Sequence, residues 1–63
     1  MDEIYEVGKF EAYLIMKHRK PLGRYWTLSD MKYVAIDNTK GLILSEEFDD
    51  KEVMLEWLKS DKQ

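Results

Sequence analysis

Four carboxylates crowd into the stretch Glu46, Glu47, Asp49 and Asp50. Such a density raises two kinds of chemistry, a divalent-cation site or a carboxylate pair performing acid–base work. A cation needs several oxygens converging on one point. Glu46 and Glu47 are adjacent in an apolar, extended run and point to opposite faces, while Asp49 and Asp50 stand where a helix begins. A helix cap with a solvated edge is therefore expected, with no bound metal. His18 is the only histidine, so a Ser/His pair would have to combine it with Ser29, Ser45 or Ser60. No G-x-S-x-G elbow surrounds any of these serines. Gly8, Gly23 and Gly41, the only glycines, make neither a phosphate loop nor a dinucleotide fingerprint. The residues thus point away from an enzyme and call for no cofactor.

A second constellation is KHRKPLGRYW, residues 17 to 26. Lys17, Arg19, Lys20 and Arg24 could neutralise phosphates while Tyr25 and Trp26 stack on unpaired bases. The same cations also suit the negative end of a helix, and the two rings suit a strand packing a core. With Tyr33 they are the candidate contact residues, for nucleic acid or for a protein partner.

The elements that would position these groups follow from periodicity. Val53, Met54, Trp57 and Leu58 recur on one helical face, which predicts a helix from about Asp50 to Ser60. Asp49 is its expected cap, Glu52 completes the reciprocal pattern, and Phe48 can staple onto Val53 or its neighbour. Ahead of it, Lys32 to Asp37 and Leu42 to Phe48 read as a hairpin turned at Asn38 to Gly41, with Gly41 left-handed. Tyr25 to Ser29 reads as a third strand that returns through Asp30 and Met31, where a glycine would be expected. For residues 2 to 19, Ile4, Val7, Phe10, Leu14 and Ile15 share a helical arc, though Glu11 and His18 fall inside it and Phe10 to Met16 also alternate as a strand would; the preferred reading is one helix, bent or frayed at Gly8 and stopped by Lys20 to Gly23. The expected fold is α+β in the order α-β-β-β-α, with both helices on one face of a three-stranded antiparallel meander. The other face would then expose Tyr25 or Tyr33 with Thr27, Ala35 and Ser45. Met16, Met31 and Met54 read as core.

Composition sets the bounds. The 63 residues form a single domain near the size at which a chain barely buries enough surface to fold, and without cysteine no disulfide can help. Tight packing or self-association must compensate, and a dimer is one expectation, since a meander leaves two edges unpaired. Net charge is −3 and unevenly placed: −3 over residues 1 to 16, +4 over 17 to 24, zero over 25 to 44 and −4 over 45 to 63. The basic block thus has acidic neighbours on both sides, so internal neutralisation competes with any external anion. The start, Met1-Asp2-Glu3, is unlike a basic signal peptide. The longest apolar run, Ala12 to Met16, is far short of the ~20 residues of a membrane helix. A soluble, cytoplasmic protein with no membrane contact is expected.

The run Tyr33-Val-Ala-Ile-Asp-Asn-Thr-Lys-Gly41, then Glu46-Glu-Phe48 and the Trp57-Leu58 helix, resembles small uncharacterised proteins of phage, prophage and mobile-element type from Gram-positive bacteria. Lys20-Pro-Leu-Gly23 followed by Tyr25-Trp26 looks like part of the same pattern. The similarity spans roughly residues 20 to 58 and rests on turns, caps and core positions. The sequence departs from that pattern at Met31, where the pattern has glycine, and near Leu44, where the pattern has an aromatic. The resemblance implies a genomic setting and a fold without an assigned activity. The expectation is a non-enzymatic interaction module that modulates a host protein, with a nucleic-acid-binding accessory protein using Lys17 to Arg24 as the rival.

Overall fold

Two turns fix the centre of the molecule. In the computed structural model, which describes residues 3–62, Asp30 and Met31 form a two-residue turn with φ of 52° and 67°. Both central residues of a type I′ hairpin need positive φ, and this one joins β2 (Gly23–Ser29) to β3 (Lys32–Asn38) with Ser29 opposite Lys32. Aspartate tolerates the left-handed region; an unbranched methionine there is strained. A longer loop, with Gly41 at φ 79°, returns the chain to β4 (Leu44–Phe48), antiparallel to β3 and starting two residues later than the expected Leu42.

The N-terminal segment corrects the expected single helix. Ile4–Glu6 is a short strand, β1, parallel to β2 with Tyr5 opposite Tyr25, and the Val7 N–H extends the pairing to the Trp26 carbonyl at 2.9 Å. Only then does α1 (Lys9–His18) begin, and it closes with Arg19 left-handed and bonded back to the Ile15 carbonyl at 2.7 Å. The sheet is thus four-stranded and mixed, in the order β1-β2-β3-β4, where three antiparallel strands were expected. The chain ends in α2 (Lys51–Lys59).

The helices lie on opposite faces of the sheet, which overturns the shared-face expectation. Neighbouring residues of a strand point to opposite sides. Tyr25 and Ile36 pack with Ala12 and Ile15 of α1, joined by Val7 and Ile43. Trp26 and Ala35, one position along, pack with Met54 and Leu58 of α2, joined by Ile4, Tyr33, Phe48, Leu55 and Trp57. Consequently Tyr25, Thr27 and Ala35 are buried and offer no open face; Tyr33 is half-buried and only Ser45 is exposed. Of the three methionines assigned to the core, Met54 is fully buried, whereas Met16 and Met31 are exposed.

The cap of α2 is Asp50, one residue beyond the expected Asp49: its Oδ1 accepts from the Glu52 and Val53 N–H groups at 2.8 and 3.2 Å. Asp49 instead pairs with Lys32 at 2.5 Å, and the Asp49 carboxylate, through this hydrogen bond first and its charge second, raises the Lys32 pKa. Val53 faces solvent, and Phe48 packs on Trp57 with ring centroids 5.8 Å apart. At the other end, the Lys62 ammonium donates to the Trp57 and Ser60 carbonyls at 2.6 Å each, meets Asp37 Oδ2 at 3.0 Å and lies 4.5 Å from the centre of the Trp57 ring. This clips the end of α2 to β3.

Candidate interaction surface

The seven expected contact residues do not form one surface. Lys17, Arg19 and Lys20 are exposed around the C-terminal end of α1. Arg24, by strand alternation, belongs to the α2 side of the sheet, opposite Asp37 in register. There it lines a cleft of about 370 Å³ with Asp37, Lys40, Lys59 and Lys62. Tyr25 is buried beneath α1, with its hydroxyl shared between the Pro21 and Leu22 carbonyls at 3.0 and 3.2 Å. Trp26 is buried on the other face, 5.7 Å from Tyr33 and 5.1 Å from the Lys51 ammonium. Neither ring is free to stack on a base. Among the described residues no three His, Cys, Asp or Glu side chains are grouped to hold a metal ion, and Asp50 and Asp49 are engaged as described above.

In their place the structure exposes a surface on α1. Only Ala12 and Ile15 of this helix are buried. Phe10 is 74% exposed and Tyr13 55%, and they stack on each other with centroids 6.4 Å apart, while the Lys17 ammonium sits 5.8 Å from the Tyr13 ring. Residues at i, i+3 and i+7 share a helical face, so these three form one outward stripe. Phe10 therefore leaves the core arc on which the sequence had placed it. With Ile4 in a separate strand, the inward direction of the helix is set by Ala12 and Ile15.

Next to this stripe lies a depression of about 470 Å³ between β1, α1 and the loop before β2, lined by Tyr5, Glu6, Val7, Glu11, Pro21, Leu22 and Tyr25. Tyr5 and Leu22 are exposed, and the Tyr5 and Tyr25 rings lie 6.1 Å apart. Burial first, and the Glu11 charge second, raise the Tyr25 pKa; the hydrogen bond to Glu3, ahead of its charge, raises that of Tyr5. The sequence did carry a signal for this surface. Six of the seven residues from Phe10 to Met16 are apolar or aromatic, more than one buried helical face can take.

No protein-family model matches the chain, and neither a curated protein nor a solved structure matches it. No helix among the described residues is long and apolar enough to cross a membrane.

Proposed function

We propose that the chain is a non-enzymatic protein-interaction module that docks through the outer face of α1. The observation that carries this reading is the stacked Phe10–Tyr13 pair standing in solvent on a helix whose opposite face is already used by the core. Aromatic rings dominate the energetics of protein interfaces. A helix of ten residues is only about 15 Å long, while a stable interface takes about 800 Å² from each partner. The contact therefore extends over the neighbouring Tyr5 and Leu22. His18 ends α1 in solvent, and the Ser60 hydroxyl donates to the Trp57 carbonyl at the end of α2. The resemblance to phage and mobile-element proteins makes a bacterial host protein, met in the cytoplasm, the partner under this reading; a second copy of the chain is the other protein it could meet there.

The test is capture from a bacterial lysate by the wild-type chain and by the Phe10→Ser/Tyr13→Ser double variant, with light scattering on both. The wild type should retain a partner or dimerise, and the variant should do neither while keeping its thermal midpoint. Identical behaviour of the two proteins would overturn the proposal.

One observation favours a nucleic-acid reading of the same surface. Lys17, Arg19 and Lys20 flank exposed rings after all, those of Phe10 and Tyr13, with Lys17 against Tyr13. Such binding would weaken steeply with added salt, and absence of binding to single-stranded DNA at low salt would remove it.

A further inference from the structure

We infer that the outer face of α1 docks onto an acidic segment of its protein partner, one that sets apolar side chains over Phe10 and Tyr13 and carboxylates against Lys17, Arg19 and Lys20. This rests on the interaction-module reading and names the chemistry of what docks. With 13 Asp and Glu residues against 10 Lys and Arg, the chain has carboxylates enough to neutralise its own cations. Elsewhere it uses them: Lys32 pairs with Asp49 and Lys62 with Asp37. At the end of α1 it does not. Lys17, Arg19 and Lys20 are exposed, and none of them has an ion pair among the described residues. The helix dipole favours cations there, but it does not account for Arg19. That residue closes the helix at φ 59°, in the left-handed region where glycine is the usual choice and a bulky side chain is strained. The backbone gains nothing from an arginine at this position, whereas its charge completes the basic end.

Rings and charges are ordered along the helix. From the Phe10–Tyr13 pair to Arg19 is about two turns, or about 10 Å, so the apolar and acidic groups of the partner keep that spacing. A second copy of the chain does not offer it. Brought face to face, two α1 helices set like charges together, and Glu11 is the only carboxylate of the helix. A nucleic acid fits less well. Phe10 and Tyr13 are already stacked on each other, with Lys17 against Tyr13. A strand long enough to cross a molecule of 26 × 25 × 17 Å with net charge −3 meets repulsion beyond the three cations.

The probe is an N-acetylated, amidated pentapeptide of two leucines, one glycine and two glutamates, which when extended sets leucine and glutamate about 10 Å apart. It is titrated into isotopically labelled full-length protein and followed by backbone amide NMR shifts, beside the same peptide with glutamine or lysine replacing glutamate and a single-stranded oligothymidylate. The glutamate peptide should give saturable shifts confined to residues 9 to 20 and bind at least fivefold more tightly than the glutamine peptide; the lysine peptide should leave the spectrum unchanged. Lys17→Glu should weaken binding at least fivefold. Arg19→Gly should weaken it at least twofold while raising the thermal midpoint, because glycine relieves the left-handed residue; binding lost there is not folding lost. No shifts at residues 9 to 20, equal binding of the glutamine peptide, an unaffected Lys17→Glu or Arg19→Gly, tighter binding of oligothymidylate to the same residues, or a wild-type dimer that Phe10→Ser/Tyr13→Ser dissolves would each overturn the inference. Lysate capture that depends on Phe10 and Tyr13 but ignores Lys17→Glu refutes the acidic partner alone. Capture that ignores the rings refutes docking through α1 itself, whatever the peptide does.

Discussion

The two helices solve different problems. Helix α2 is amphipathic, carries a side-chain cap at Asp50, and is clipped at its other end by Lys62. It presses Met54 and Leu58, both without solvent exposure, onto Trp26 and Ala35. Helix α1 has apolar side chains inside and out, and its N-cap residue, Gly8, offers no side chain to its first N–H groups. It anchors through Ala12 and Ile15. One helix is built for stability, and the other gives up part of that to keep rings in solvent.

Four substitutions probe the contrast. The largest effect is expected at Leu58→Ala, which opens a cavity in the fully buried cluster and should cost about 3 kcal/mol. For a chain this small that is a large share of total stability; denaturant titration should show it exceeding the loss from Ile15→Ala, and the reverse order would break the comparison. Next is Asp37→Asn. Burial works to raise the Asp37 pKa, but the Thr39 hydroxyl and N–H together with the Lys62 ammonium outweigh it and hold the carboxyl below its ordinary value. The wild type therefore keeps this stabilisation above about pH 4, the unfolded carboxylate range, and loses it as pH falls through the lower folded value. The variant should lose about 2 kcal/mol at neutral pH and show a flatter acid profile, read from thermal midpoints between pH 2 and 7.

Asp50→Ala should cost about 1 kcal/mol by freeing two N–H groups at the start of α2. The smallest effect is of opposite sign. Gly8→Ser places a cap where the backbone is already extended and a Cβ meets nothing within 4 Å; it should add about 0.5 kcal/mol. If Gly8→Ser stabilises as strongly as Asp50→Ala destabilises, the weakness of α1 lies mostly at its cap.

Much of the fold was legible, for identifiable reasons. The α2 helix was readable because its apolar positions keep one spacing and acidic residues precede it. The second hairpin was readable because Gly41 interrupts two apolar runs. The strand β1 was not, because three residues show no alternation, and its pairing with β2 spans the whole of α1. The second covered face was missed although its signal was present. Tyr25, Trp26 and Thr27 are buried in succession, as are Ala35 through Asn38, and consecutive burial in a strand means cover on both sides. Read as alternating, those strands left one face bare. The same error misplaced the candidate contacts: Tyr25 and Trp26 were offered as a pair of ligand-facing rings, but adjacent strand residues part to opposite cores. At Met31 the expected glycine is absent, yet the turn forms with positive φ, because the long antiparallel register on either side outweighs the strain of two residues.

The partition of the interior by the sheet has a practical consequence for optical measurements. Both tryptophans, Trp26 and Trp57, belong to the α2 cluster, and the α1 side holds none. Tryptophan emission is thus a one-sided reporter. It follows the separation of α2 from the sheet and is nearly blind to the departure of α1, whereas far-ultraviolet circular dichroism registers both helices. If α1 lets go first, the dichroism curve will move at lower denaturant than the emission curve, and the gap between them will measure how independently α1 is held.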